Sequence, residues 1–90
     1  MGKRQNRAYL SSYWVLLTHL LKWHFQRDRR SRSWAVTILR ERVNIRRRES
    51  KRGGLQTMSA ERLSKIYERA RREAARETEL HLSVFPAECP

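Results

Sequence analysis

Residues 9–25 read YLSSYWVLLTHLLKWHF, and the fold turns on how this stretch is read. Apolar side chains recur in it at i, i+3, i+4 and i+7, the spacing that lines one side of a 3.6-residue helix. They do so twice. One stripe runs through Tyr9, Tyr13, Leu16, Leu20 and Trp23, and an adjoining one through Leu10, Trp14, Leu17 and Leu21. A helix apolar over so much of its circumference needs neighbours on two sides. The spacing predicts a first helix over 8–25. Its Ser11, Ser12, Thr18, His19, Lys22 and His24 leave it too polar, and its length too short, for the ~20 nearly uncharged residues of a membrane-spanning helix. A secretory signal would continue into a small-residue cleavage site, but Lys22-Trp23-His24 follows instead.

Working outward, residues 26–32 form a polar, arginine-rich connection. Ser31 or Ser33 is placed to cap a second helix over 33–49 by accepting a backbone N–H bond. Trp34, Ala35, Ile38, Leu39, Val43 and Ile45 give this helix an apolar side. Arg40, Arg47 and Arg48 are expected on its outward face, with Arg42 and Arg46 at the flank. Lys51-Arg52-Gly53-Gly54 is expected to end it, since paired glycines supply the backbone freedom a cap uses. A third helix over 60–81, capped by Ser59 or Thr57, buries Leu63, Ile66, Tyr67, Ala70 and Ala74. Its outer face carries the pairs Glu61 with Lys65, Glu68 with Arg72, and Arg69 with Glu73 in reversed order, each contributing about 0.2–0.5 kcal/mol. The remaining residues contain both prolines and read as an irregular tail in which one aromatic of Val84-Phe85 tucks onto the core. The prediction is an all-α protein: a small three-helix bundle with an irregular C-terminal tail, one domain over 1–90.

Ninety residues allow one core, which removes only roughly 60–65% of the unfolded chain's surface from water. Three Trp, three Tyr and two Phe supply large apolar areas for it. The 21 Lys+Arg against 9 Asp+Glu give a net charge of +12, which points to polyanionic partners. The excess is confined to residues 1–52, where the acidic side chains are Asp28, Glu41 and Glu49, while basic and acidic side chains balance from 53 to 90. A single cysteine, Cys89, offers no internal disulfide and no thiol pair for a metal, which favours a reducing compartment, the cytoplasm.

Two separated motifs carry a resemblance. The run His19-Leu20-Leu21-Lys22-Trp23-His24-Phe25-Gln26, followed by Asp28-Arg29-Arg30-Ser31-Arg32-Ser33-Trp34, is similar to the central signature of the bacterial domain of unknown function 29 family. The helix from Tyr67 to Ala75 and the tail Phe85-Pro86-Ala87-Glu88-Cys89-Pro90 resemble that family's later part. The resemblance implies a helical bundle and assigns no activity. Family members usually have a further helical segment before Ala8 and a tryptophan-led acidic segment after Pro90, so this chain is expected to be a short form or a truncated product. Part of the +12 would then follow from shortening.

His19 and His24 lie five apart, off the i,i+4 spacing of two ligands on one helical face, and His81 stands near a helix end. No Ser/His/Asp arrangement, carboxylate pair or phosphate loop is visible, so neither enzyme activity, nor a metal, nor a cofactor, nor a small-molecule substrate is expected. Two binding roles remain. The first is self-association, or docking of a partner protein, through Tyr13, Trp14, Leu17 and Leu21. The second is non-specific nucleic-acid contact through Arg29, Arg30, Arg32, Arg40, Arg46, Arg47, Arg48, Lys51 and Arg52 of the basic region from Arg27 on, with Trp23 and Trp34 beside it for base stacking. The plainer reading of those tryptophans is that both are core. Membrane-surface binding ranks below these.

If polyanions bind, phosphate contacts will set the affinity and no base-reading element will set a preference. Replacing Arg46, Arg47 and Arg48 by Gln should therefore weaken DNA or RNA binding alike for all sequences, and filter binding should show it gone by about 0.5 M salt.

Overall fold

The computed structural model describes residues 2–51 and 59–89, with side chains described over 7–49 and 59–89. It contains three α-helices, α1 (Gly2–Phe25), α2 (Arg32–Lys51) and α3 (Ala60–Thr78). Short 3₁₀ turns follow α1 at Arg27–Arg29 and α3 at Leu82–Val84. The protein is a small all-α three-helix bundle.

α1 sits at the centre. It packs against both other helices, whereas α2 and α3 scarcely meet. The two apolar stripes of α1 explain this layout, because each takes a different partner. Tyr9 and Leu16, with Tyr13, Leu20 and Trp23, pack against Ile38 and Ile45 of α2. Leu21, with Leu17 and Phe25, packs against Tyr67 and Ala74 of α3 and against Phe85. Ala70 and Ala74 are fully buried, and having no more than a methyl group they let the α3 backbone approach α1 closely. One apolar cleft of 480 Å³ stays open beside α1, lined by Leu17, Leu20, Trp23 and Phe25, with Tyr67, Pro86 and Cys89 across from them.

α1 begins six residues earlier than its apolar period suggests, because helix-tolerant polar residues extend it with no stripe to read. The Ser31 hydroxyl accepts from the Trp34 N–H at 3.2 Å, and the Ser59 hydroxyl accepts from the Arg62 N–H at 3.2 Å. Each thereby satisfies one of the orphan donors of a helix start. Gly53, Gly54 and Thr57 lie outside the described residues.

α3 ends three residues before the predicted boundary. Glu79 adopts the left-handed conformation with φ of 59°, normally a glycine position, and the Thr78 hydroxyl donates back to the Ala74 carbonyl at 2.6 Å. His81 therefore lies beyond the helix, and its Nδ1 accepts from the Ser83 N–H to start the final 3₁₀ turn. The tail then folds back on α3. Tyr67 donates to the Pro86 carbonyl at 2.6 Å, Arg71 donates twice to the Phe85 carbonyl at 3.2 and 3.1 Å, and the Phe85 ring is 1% exposed.

α2 differs most from expectation. Ile38 and Ile45 are buried and Trp34 and Ala35 half-buried, but Leu39 is 62% and Val43 50% exposed, although both were assigned to the apolar side. Glu41 takes the inward position between Ile38 and Ile45 instead. Packing on α1 selects the line 34, 38, 41, 45 and leaves the line 36, 39, 43 in water.

Because Phe85 is held as part of the core, Phe85→Ala should cost about 3–5 kcal/mol, a large share of the stability of so small a domain. Urea unfolding followed by helical circular dichroism will measure it; a loss below about 0.5 kcal/mol would mean that the tail is not part of the core.

Candidate functional site

Lys22, on the side of α1 away from the seam of its two stripes, is almost fully buried. Its ammonium reaches Glu77 in the last turn of α3 at 2.8 Å and lies 4.8 Å from the ring centre of Trp34 in the first turn of α2. A buried cation needs such partners, and these join all three helices at one end of the bundle. At the other end of the α1–α2 contact, Glu49 accepts from the Tyr9 phenol at 2.6 Å and the Tyr13 phenol at 3.2 Å. Burial first, and the Glu49 carboxylate with it, push the Tyr9 phenol well above its ordinary value of 10.0. Burial likewise raises Tyr13. On α3, a hydrogen bond from Arg76 holds Glu73 below the usual carboxylate range, a pairing on the outer surface.

The basic residues fall into different environments. Arg29, Arg32, Arg40, Arg46 and Arg47 are exposed. Arg40 has only a long contact with Glu41, at 3.5 Å. Arg30 is engaged within the chain: its Nε donates to the Trp23 carbonyl at 2.7 Å, which caps the end of α1, and its guanidinium covers the Trp23 ring at 4.9 Å. Arg48, expected to face outward, is half-buried, with its Nε enclosed and unpartnered among the described residues. It falls on the side of α2 that turns toward α1. The Lys51 side chain and Arg52 lie outside the described residues. Each tryptophan beside the loop has a cation of this chain over its ring, Arg30 on Trp23 and Lys22 on Trp34.

The residues expected to mediate self-association also have partners within the chain. Leu21 is 5% exposed in the α1–α3 core, Leu17 packs beside it, Tyr13 is held by Glu49, and Arg69 lies 5.7 Å from the centre of the Trp14 ring. Two clefts remain along the stripes, the one beside Leu17 and Leu20 and a second of 330 Å³ beside Leu10 and Trp14, facing Ile66 and Arg69 of α3.

What sequence reasoning missed is the outer face of α2. Val36, Leu39 and Val43 stand in one line along it, half or more exposed, between Arg32 at one end and Arg46 and Arg47 at the other, with Arg40 at the side. The two acidic residues described on α2 are both turned away from this face, Glu41 buried and Glu49 bound to the phenols. The i, i+3, i+7 spacing of 36, 39 and 43 carried the signal. It is masked because α2 is apolar on two sides.

Among the described residues no three of His, Cys, Asp and Glu converge as a metal site, and no helix is long and apolar enough to cross a membrane. His19 bonds through Nδ1 to the Val15 carbonyl. Cys89 is exposed, and partial desolvation raises its thiol above the ordinary value.

The Tyr9 cluster gives a pH test. The folded chain binds the phenolic proton more tightly than the unfolded one, so its contribution is complete below about pH 10 and is lost as pH rises above that. Tyr9→Phe should cost about 1.5–3 kcal/mol at neutral pH, the loss of a hydrogen bond to a carboxylate. It should also flatten the alkaline decline in stability, measured by urea unfolding on either side of about pH 10.

Comparison with curated proteins and with solved structures finds no match to either. The model of one protein family, described as Domain of unknown function DUF29, matches residues 1–90. The signature at 19–34 lies where α1, the turn after it and the start of α2 meet around Lys22, Trp23, Arg30 and Trp34, and the second motif contributes Tyr67, Arg71 and the tail they hold. The family match covers the whole chain, and the chain belongs to the DUF29 family.

Proposed function

We propose that the domain is a non-enzymatic protein-association module that docks through the outer face of α2. The observation that carries this reading is the exposed line Val36, Leu39 and Val43, at 52, 62 and 50%. The other large aliphatic side chains described as exposed, Leu82 at 37% and Val84 at 43%, are less so and lie in the tail. Covering these three contributes roughly 1 kcal/mol each, from apolar area at about 25 cal/mol per Å². Association through Tyr13, Trp14, Leu17 and Leu21 is the less favoured arrangement, because those side chains already pack within the chain. A reducing, cytoplasmic setting suits a chain with one unpaired cysteine.

Non-specific nucleic-acid binding is the second reading, favoured by the exposed Arg29, Arg32, Arg46 and Arg47 and the charge of +12. It loses support at the tryptophans, where cations of the chain occupy the ring faces that bases would stack on.

A photo-crosslinking amino acid placed at position 39, in the cells that make this protein, separates the two. Discrete adducts that protease removes and nuclease does not, absent when the probe stands at Glu68 on the exposed side of α3, are the expected result. Nuclease-sensitive adducts would instead establish the second reading.

A further inference from the structure

Resting on the reading of α2 as the docking face, we infer that its occupant is an acidic amphipathic helix of a different protein. Val36, Leu39 and Val43 form a ridge about 10 Å long at 1.5 Å per residue, with the spacing that one helix offers to the groove of another. Arg32, Arg40, Arg46 and Arg47 surround the ridge; Glu41 is buried and makes only a long 3.5 Å contact with Arg40, and Glu49 is held by the phenols. A helix laid along the ridge 8–10 Å away, as packed helices are, brings its own flanks within reach of these guanidiniums. Carboxylates there would be met by the planar fork that suits them.

Other occupants fit less well. A second copy would set arginine against arginine if it used the same face. If it used α3 it would offer a surface of mixed sign, Glu61 and Glu68 beside Lys65 and Arg72, on a helix that is itself slightly basic. A lipid surface calls for bulky anchors, but the one aromatic of α2, Trp34, is half-buried beneath Lys22. Phosphates of a nucleic acid would satisfy the arginines and leave three aliphatic side chains against a mostly polar groove.

The test uses the full chain and a labelled synthetic helical peptide with leucines at i, i+4 and i+7 and glutamates on both flanks. Three comparison ligands complete it: the same composition scrambled, single-stranded DNA, and vesicles of phosphatidylglycerol. By fluorescence anisotropy the acidic helix should bind, and the scrambled peptide should bind about tenfold more weakly. Leu39→Asp should weaken binding of the acidic helix by about tenfold or more. Arg40→Glu combined with Arg47→Glu, which leaves the ridge untouched, should do the same and remove most of the salt dependence. Circular dichroism of each variant must match the parent, and either variant alone suffices if the other misfolds. Equal binding of the scrambled peptide, or tighter Leu39-dependent binding of DNA or vesicles, overturns the inference. If position 39 yields protein crosslinks in cells while the acidic helix does not bind, the partner chemistry is wrong and the docking face stands; if neither occurs, both fall.

Discussion

An ammonium group taken out of water costs several kcal/mol unless the protein replaces what water supplied. Lys22 is in that position, and the carboxylate of Glu77 and the ring of Trp34 are its replacements. One comes from the end of α3 and the other from the start of α2, two helices that scarcely meet. The cation therefore sets where each lies along α1 in a way that apolar contacts, which tolerate sliding, do not. An aliphatic side chain at this position would pack against both helices and accept either of them at several registers.

The fold was legible because α1 advertises both of its interfaces. Tyr9, Tyr13, Leu16, Leu20 and Trp23 face α2, and Leu17 and Leu21 face α3, in the grouping that their spacing gives. The caps at Ser31 and Ser59 and the burial of one tail aromatic also follow from local chemistry. The end of α3 did not, because it depends on a glutamate at a positive φ, where side-chain type predicts against it.

The orientation of α2 was illegible for a different reason. Its sequence holds two competing lines, Trp34, Ile38 and Ile45 interrupted by Glu41, and Val36, Leu39 and Val43 flanked by arginines. Counting apolar residues does not choose between them, whereas contact with the aromatic side of α1 does. Once that choice is made, both glutamates described on the helix turn inward or toward the phenols, and of the arginines along the outer face only Arg40 has a carboxylate of its own helix in reach, Glu41 at 3.5 Å. The candidate surface is thus a product of tertiary packing.

With α1 shared and α2 and α3 nearly out of contact, the domain amounts to two helix pairs with a common strut, α1 antiparallel to α2 and parallel to α3. Tyr67, Phe85 and the alanines close one of them, and the α2 contact with its phenol–carboxylate bonds closes the other. Among the described residues, what connects the two pairs is α1 itself and the Lys22 junction. Units joined this narrowly tend to open separately, in which case α2 would lift away while the α1–α3 half keeps its core. Amide exchange in α2 would then report an opening at a free energy below that of global unfolding, in the same helix that carries the exposed surface.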